Sequence, residues 1–152
     1  MNEYLPLLNN VRQLASKYGE ALQPSATKAQ VVELTRKSSA ELAYNVPVQY
    51  VEFLMTVNGL DWNGYSIYAT SFLPLTGVGD RLITGFVERN KQYHEAAVNR
   101  PFIAFGETGG AAYVFDKRSG KFAEVDHPSL DVIGTYPTFN DLLCRILSQA
   151  LM

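Results

Sequence analysis

The chain carries a single cysteine, Cys144, and only two histidines, His94 and His127. A lone cysteine cannot close an internal disulfide, so the fold must rest on its core, as suits a reducing compartment. Neither histidine falls in an H-x-x-x-H, C-x-x-C or H-E-x-x-H spacing, and no metal or other cofactor is expected. Long apolar runs are absent as well. None approaches the ~20 residues that span a bilayer, and Met1 to Gly19 lacks the charged, apolar and small-residue order of an export signal. A cytoplasmic protein with no membrane contact is the expectation. Charge of one sign is also scarce: 13 Lys and Arg stand against 15 Asp and Glu, a formal charge of -2. Proteins that bind nucleic acid directly gather a basic patch, so nucleic acid is not an expected partner. A protein with a basic or mixed surface remains compatible with this mild acidity.

What is present is a globular composition, with 47% hydrophobic and 18% charged residues and no repeat or linker tract. A length of 152 residues suits one domain over 1–152 with its own core. Tyr4, Leu8, Val11, Ala15 and Tyr18 recur at helical steps, with Gly19 as a stop. Thr27 and Gln30 form a capping box that opens a second helix, with Val31, Val32 and Leu34 on its apolar face, to Ser38 or beyond. Pro47 suits the first turn of a third helix that buries Tyr50, Phe53, Leu54 and Val57 and closes on Gly59. From Trp62 to Tyr68 the period changes to two, as in a strand, and Phe72 to Leu75 extends or follows it. Gly77 to Asp80 reads as a loop into a helix over Arg81 to Ala97, weakened by Gly85. Strands follow at Phe102 to Phe105, Ala112 to Asp116 and Lys121 to Val125, the last two joined by Lys-Arg-Ser-Gly, with a short strand over Val132 to Tyr136. The final helix is the plainest: Thr138 caps it, and Phe139, Leu142, Leu143, Ile146, Leu147 and Ala150 share one face. Helices first, a mostly antiparallel central sheet and a closing helix packed across it predict an α+β fold.

This order of motifs resembles the SUKH superfamily, whose branches include a fungal regulator of cell-wall assembly and bacterial immunity proteins. The resemblance rests on Pro47, Tyr50, Phe53-Leu54, Asn58-Gly59, the stretch Ile103 to Gly110, Tyr113 with Asp116, Gly120, and Phe139 with Leu142-Leu143. It covers most of the chain after Thr27. No tryptophan precedes Trp62, unlike much of the family, and Arg81 to Ala97 reads as an added helical insert.

Catalytic motifs are weak by comparison. Gly-Glu-Thr-Gly-Gly at 106–110 lacks the Lys and Ser/Thr of a phosphate loop and opens no helix, so it reads as a bulge or a tight inter-strand turn. His94 beside Glu95 reads as a solvated helical pair. Asp61, Asp80, Glu107, Asp116 and Asp131 read as cap and turn residues before paired carboxylates. Cys144 has no thiolate-activating neighbour in sequence and reads as a packing residue.

The nine tyrosines and one tryptophan are the recognition signal, since these side chains give rigid amphipathic contact area. Trp62, Tyr65, Tyr68 and Tyr93 are the expected surface aromatics, with Asp61, Glu107 and Asp116 as acidic partner-binding residues. The resemblance implies a non-catalytic protein-binding module, a bacterial immunity protein that neutralises a cognate toxin such as a nuclease. The alternative is a regulatory adaptor for a signalling or housekeeping protein. A small enzyme built on Glu107 and His94 is the third class.

Overall fold

A computed structural model describes residues 3–77 and 80–152. Five helices and eight strands follow the chain: α1 (Tyr4–Lys17), α2 (Lys28–Leu42), α3 (Val48–Leu54), β1 (Leu60–Trp62), β2 (Tyr65–Ile67), β3 (Leu73–Pro74), β4 (Leu82–Ile83), α4 (Phe86–Tyr93), β5 (Phe102–Thr108), β6 (Ala111–Asp116), β7 (Lys121–Asp126), β8 (Val132–Tyr136) and α5 (Phe139–Ala150). Six strands make one antiparallel sheet in the order β1-β2-β5-β6-β7-β8, and β3 pairs with β4 apart from it. The α+β architecture expected from the sequence is the one observed.

Local chemistry explains most boundaries. The Thr27 backbone N–H donates to Gln30 Oε1 at 2.8 Å while the Gln30 N–H donates to Thr27 Oγ1 at 3.1 Å, the reciprocal capping box of α2. The Asp141 N–H donates to Thr138 Oγ1 at the start of α5. Pro47 is the N-cap of α3, and Tyr50, Phe53 and Leu54 are fully buried.

The third helix, expected to close on Gly59, ends at Leu54, and two further expected elements differ from those observed. The strand over 62–68 is a hairpin: Asn63 and Gly64 adopt φ of 53° and 82°, the left-handed pair of a type I′ turn, and Trp62 faces Tyr65 across it. The helix over 81–97 begins only at Phe86, because Leu82–Ile83 pairs with Leu73–Pro74 and Gly85 is extended at φ -85°. A Cβ on Gly85 would lie 2.7 Å from the Ser71 carbonyl carbon, so the chain is pinned there. The helix ends at Tyr93, and Ala97–Asn99 is a separate 3-10 turn. Of the expected 77–80 loop, Val78 and Gly79 lie outside the described residues.

The helix-covered face of the sheet is aromatic. Phe105 sits at its centre, with ring centroids 5.0 Å from Tyr50, 5.2 Å from Phe86 and Phe139, and 5.8 Å from Phe122. It is also the extra residue of a β-bulge, for Ala104 pairs with Val114 and Gly106 with Tyr113. Paired residues share a face, so the bulge shifts the alternation: Gly106 joins Tyr113 on the helix side and Glu107 points with Ala112 and Ser66 to the other. Gly106 has to be glycine, since its Cβ would meet the Ser66 carbonyl oxygen at 2.3 Å.

Strand β2 covers only the second half of β5. The first half, buried but without a strand neighbour on that side, is closed by a side chain, Asn90 of α4, which donates to the Ala104 carbonyl at 2.8 Å and accepts from the Ala104 N–H at 2.7 Å. Lys37–Glu88 and Lys91–Glu41 pairs at 3.1 and 2.7 Å tie α4 to α2. Asn90→Ala leaves two buried backbone groups unpaired and should cost about 2–4 kcal/mol. A urea midpoint lowered at unchanged slope checks this; an unshifted midpoint would show that the edge is held by packing alone.

Candidate functional site

The seven expected contact residues divide among three places. Asp61 and Trp62 lie in a cleft of about 640 Å³ between the end of α1, the β1–β2 turn and the end of α5, with Tyr18 and Arg81 beside them. The Tyr18 and Trp62 rings are 6.2 Å apart, and Tyr18 is 75% exposed. Arg81 meets Asp61 at 3.4 Å, a solvent-facing pair of small energetic weight. Tyr65 stands opposite Trp62 and packs half-buried against the core.

Tyr68, Tyr93 and Glu107 meet in a second cleft, of about 460 Å³, between α4 and the β5–β6 hairpin. The expectation that Tyr68 and Tyr93 are surface aromatics is corrected here: they are 1% and 7% exposed. The hairpin at 63–64 turns Tyr68 away from the helix face and against Glu107, and Tyr93 falls on the sheet-facing side of α4. The Tyr68 hydroxyl donates to Glu107 Oε1 at 2.9 Å, and Arg89 Nε donates to the same oxygen at 3.0 Å. Arg89 Nη2 reaches Glu107 Oε2 at 3.4 Å. Burial pulls the Arg89 guanidinium down, but its bonds to Glu107 outweigh this and hold it above its usual value. Burial, then the Glu107 carboxylate, push the Tyr68 phenol far up. The Tyr93 hydroxyl is buried with no hydrogen-bond partner, and burial pushes it up to about 12. Both phenols stay protonated across the physiological range.

Asp116 joins neither group. It is 6% exposed at the base of the β6–β7 hairpin, where Oδ1 accepts from the Arg118 N–H at 2.9 Å and from Arg118 Nε at 3.1 Å. Its expected place as an exposed acidic contact is therefore corrected: it is a turn residue with its carboxylate engaged, and Arg118 in turn lies 4.9 Å over the Phe102 ring. Burial alone pushes the Asp116 carboxyl up, but the side-chain and backbone donors of Arg118 prevail and hold it below the usual aspartate value.

Other residues weighed in the sequence settle into structural places. His94 is not an exposed helical side chain; it caps α4, and its Nε2 lies 2.6 Å from the Phe102 carbonyl oxygen. His127 packs edge-on against Tyr93 at 5.8 Å. Cys144 is half-buried at the border of the core, and burial pushes its thiol up. Among the described residues, no three His, Cys, Asp or Glu side chains cluster as metal ligands, and no helix is long and apolar enough to cross a membrane. Sequence reading missed Arg89 and Asn90. Their positions on α4, four and three residues before Tyr93, place them beside it, but the misplaced helix start hid which face looks to the sheet.

The sequence pattern of the SMI1 / KNR4 family (SUKH-1) matches residues 26–145, about four-fifths of the chain. The chain belongs to this family. No curated protein matches it. SUKH-1 proteins are generally non-catalytic and are associated with protein–protein interaction. The second cleft lies wholly within the matched SUKH-1 span, whereas more than half the residues of the first come from α1, the segment after it and the last residues of α5, outside that span.

A carboxyl held low in the folded state adds stability above its unfolded value and loses it as pH falls through the folded one. Asp116→Asn should therefore be less stable than the parent at neutral pH, with the difference shrinking below about pH 4. Urea titrations at pH 7 and pH 3 check this; a constant gap would show that the charge is not what matters at this turn.

Proposed function

We propose that this chain is a cytoplasmic, non-catalytic immunity protein that neutralises a cognate bacterial toxin by binding it directly. The SUKH-1 match over residues 26–145 carries the reading, because that family includes immunity proteins as well as fungal regulators. The surface supports it. Exposed Tyr18 and half-buried Trp62 form an aromatic pair with Asp61 at the rim of the larger cleft. Such a set suits a protein interface, where a few desolvated aromatic anchors provide most of the affinity and a rim charge sets orientation. Where the toxin is a nuclease, Asp61 and Glu107 are the carboxylates to test as stand-ins for its phosphate substrate, each first giving up its arginine partner.

Capture from the native host with the tagged chain should return one dominant partner whose toxicity is suppressed when the two are co-expressed. The double variant Tyr18→Ala, Trp62→Ala should fold and weaken that complex about 100-fold, the scale of one to two aromatic anchors. Recovery of several housekeeping proteins with no protective effect would overturn the immunity reading in favour of the adaptor.

A further inference from the structure

Ten glycines fall among the described residues, and eight of them have a reason visible within the chain. Five adopt positive φ, and at Gly85, Gly106 and Gly134 a Cβ would crowd a neighbour. The two exceptions are adjacent. Gly109 and Gly110, in the two-residue turn between Thr108 and Ala111, have no positive φ, and a Cβ on either meets nothing within 4 Å. Both are exposed. Glycine at such a place weakens the fold through the freedom it gives the unfolded chain, with no gain in the folded one. What glycine uniquely offers there is bare backbone for the close approach of another molecule.

The cleft bordered by Gly109 shows what would approach. Its charged groups are Glu107, Glu95 and Arg89. The Arg89 guanidinium and the Tyr68 hydroxyl are both directed at Glu107, but a carboxylate has about four lone-pair positions, and Oε2 receives only the 3.4 Å contact from Arg89. Tyr93, 93% buried in the wall of this cleft, has a hydroxyl with no partner. The unmet capacity is thus mainly for hydrogen-bond donors. An anion would have to compete with Glu107 for Arg89, whereas a guanidinium has donors only, is planar, and stacks on tyrosine faces.

We propose that the β5–β6 turn and the cleft behind it form a contact site for a partner polypeptide, whose backbone passes over Gly109 and Gly110 while one of its arginine side chains enters the cleft to meet Glu107. The proposal rests on the reading of the chain as a protein-binding module and is independent of the partner's toxicity.

The test titrates the full isotope-labelled chain with acetyl-Gly-Arg-Gly-amide and with its neutral citrulline counterpart, following backbone amide shifts. The arginine peptide should give saturable shifts centred on Glu107 to Ala112, and the citrulline peptide should bind at least tenfold more weakly. Gly109→Ala with Gly110→Ala should leave the thermal midpoint unchanged or raised and weaken the arginine peptide at least tenfold. Glu107→Gln should abolish its binding. Tyr93→Phe, which deletes only an unpartnered hydroxyl and so tests the site even where Glu107→Gln disturbs Arg89, should weaken it severalfold. Absence of saturable shifts, equal binding of the two peptides, a glycine double variant that binds as tightly as the parent, or one with a lowered midpoint would each overturn the proposal. Toxin protection that persists when these shifts are absent would overturn this site alone and leave the immunity reading standing.

Discussion

The bulge at Phe105 is the constraint on which both sides of the sheet depend. A regular β5 would carry the alternation of Ile103 and Phe105 on to Glu107 and bury a carboxylate beneath the helices. The one-residue shift between Ala104 and Gly106 places Phe105 among Tyr50, Phe86, Phe122 and Phe139 and still sends Glu107 to the opposite face, to Tyr68 and Arg89. Aromatic burial on one side and a polar cleft on the other are therefore consequences of one backbone irregularity. The fully buried Tyr50 hydroxyl strengthens the link by donating to the Tyr68 carbonyl at 2.6 Å.

Buried amides complete what the bulge leaves open. Where β2 stops short, Asn90 takes the place of a neighbouring strand for Ala104. At the end of α3, Asn58 does similar work: its Oδ1 accepts from the Thr70 N–H at 2.9 Å and its Nδ2 donates to Thr70 Oγ1 at 3.0 Å, fixing the chain after β2. Beneath α5, the buried Glu124 accepts from Arg145 at 3.3 Å. An unpaired polar group in any of these places would be costly, so these side chains specify one arrangement of helices on the sheet as well as stabilising it.

How legible each element was follows from whether its cause is local. The capping box of Thr27 and Gln30, the Thr138 cap and the apolar stripe of α5 are written within a few neighbouring residues, and they were readable. The hairpin at Asn63-Gly64 was equally local, but the alternation of Trp62, Gly64, Ser66 and Tyr68 masked a strong turn dipeptide. The start of α4 was not local, since Gly85 is fixed by Ser71 and Phe72, and the pairing of β3 with β4 takes Leu82–Ile83 out of the helix. The candidate site was hardest for the same reason. Glu107 and the two tyrosines were chosen for residue type, and only the bulge and the position of α4 decide that they meet, that Arg89 joins them, and that Asp116 does not.

The two clefts differ in what they ask of a partner. The cleft at Glu107 is assembled from a strand, a helix and a tight turn that all lie within the family span. The larger cleft at Trp62 draws over half its lining from residues 14–22 and the chain after Arg145, outside the family span. A formal charge of only -2 gives little long-range steering toward any partner. Discrimination must then come from short-range fit, and under the proposed reading the pair of exposed Tyr18 and half-buried Trp62, built partly on residues outside the family span, is where that fit can vary.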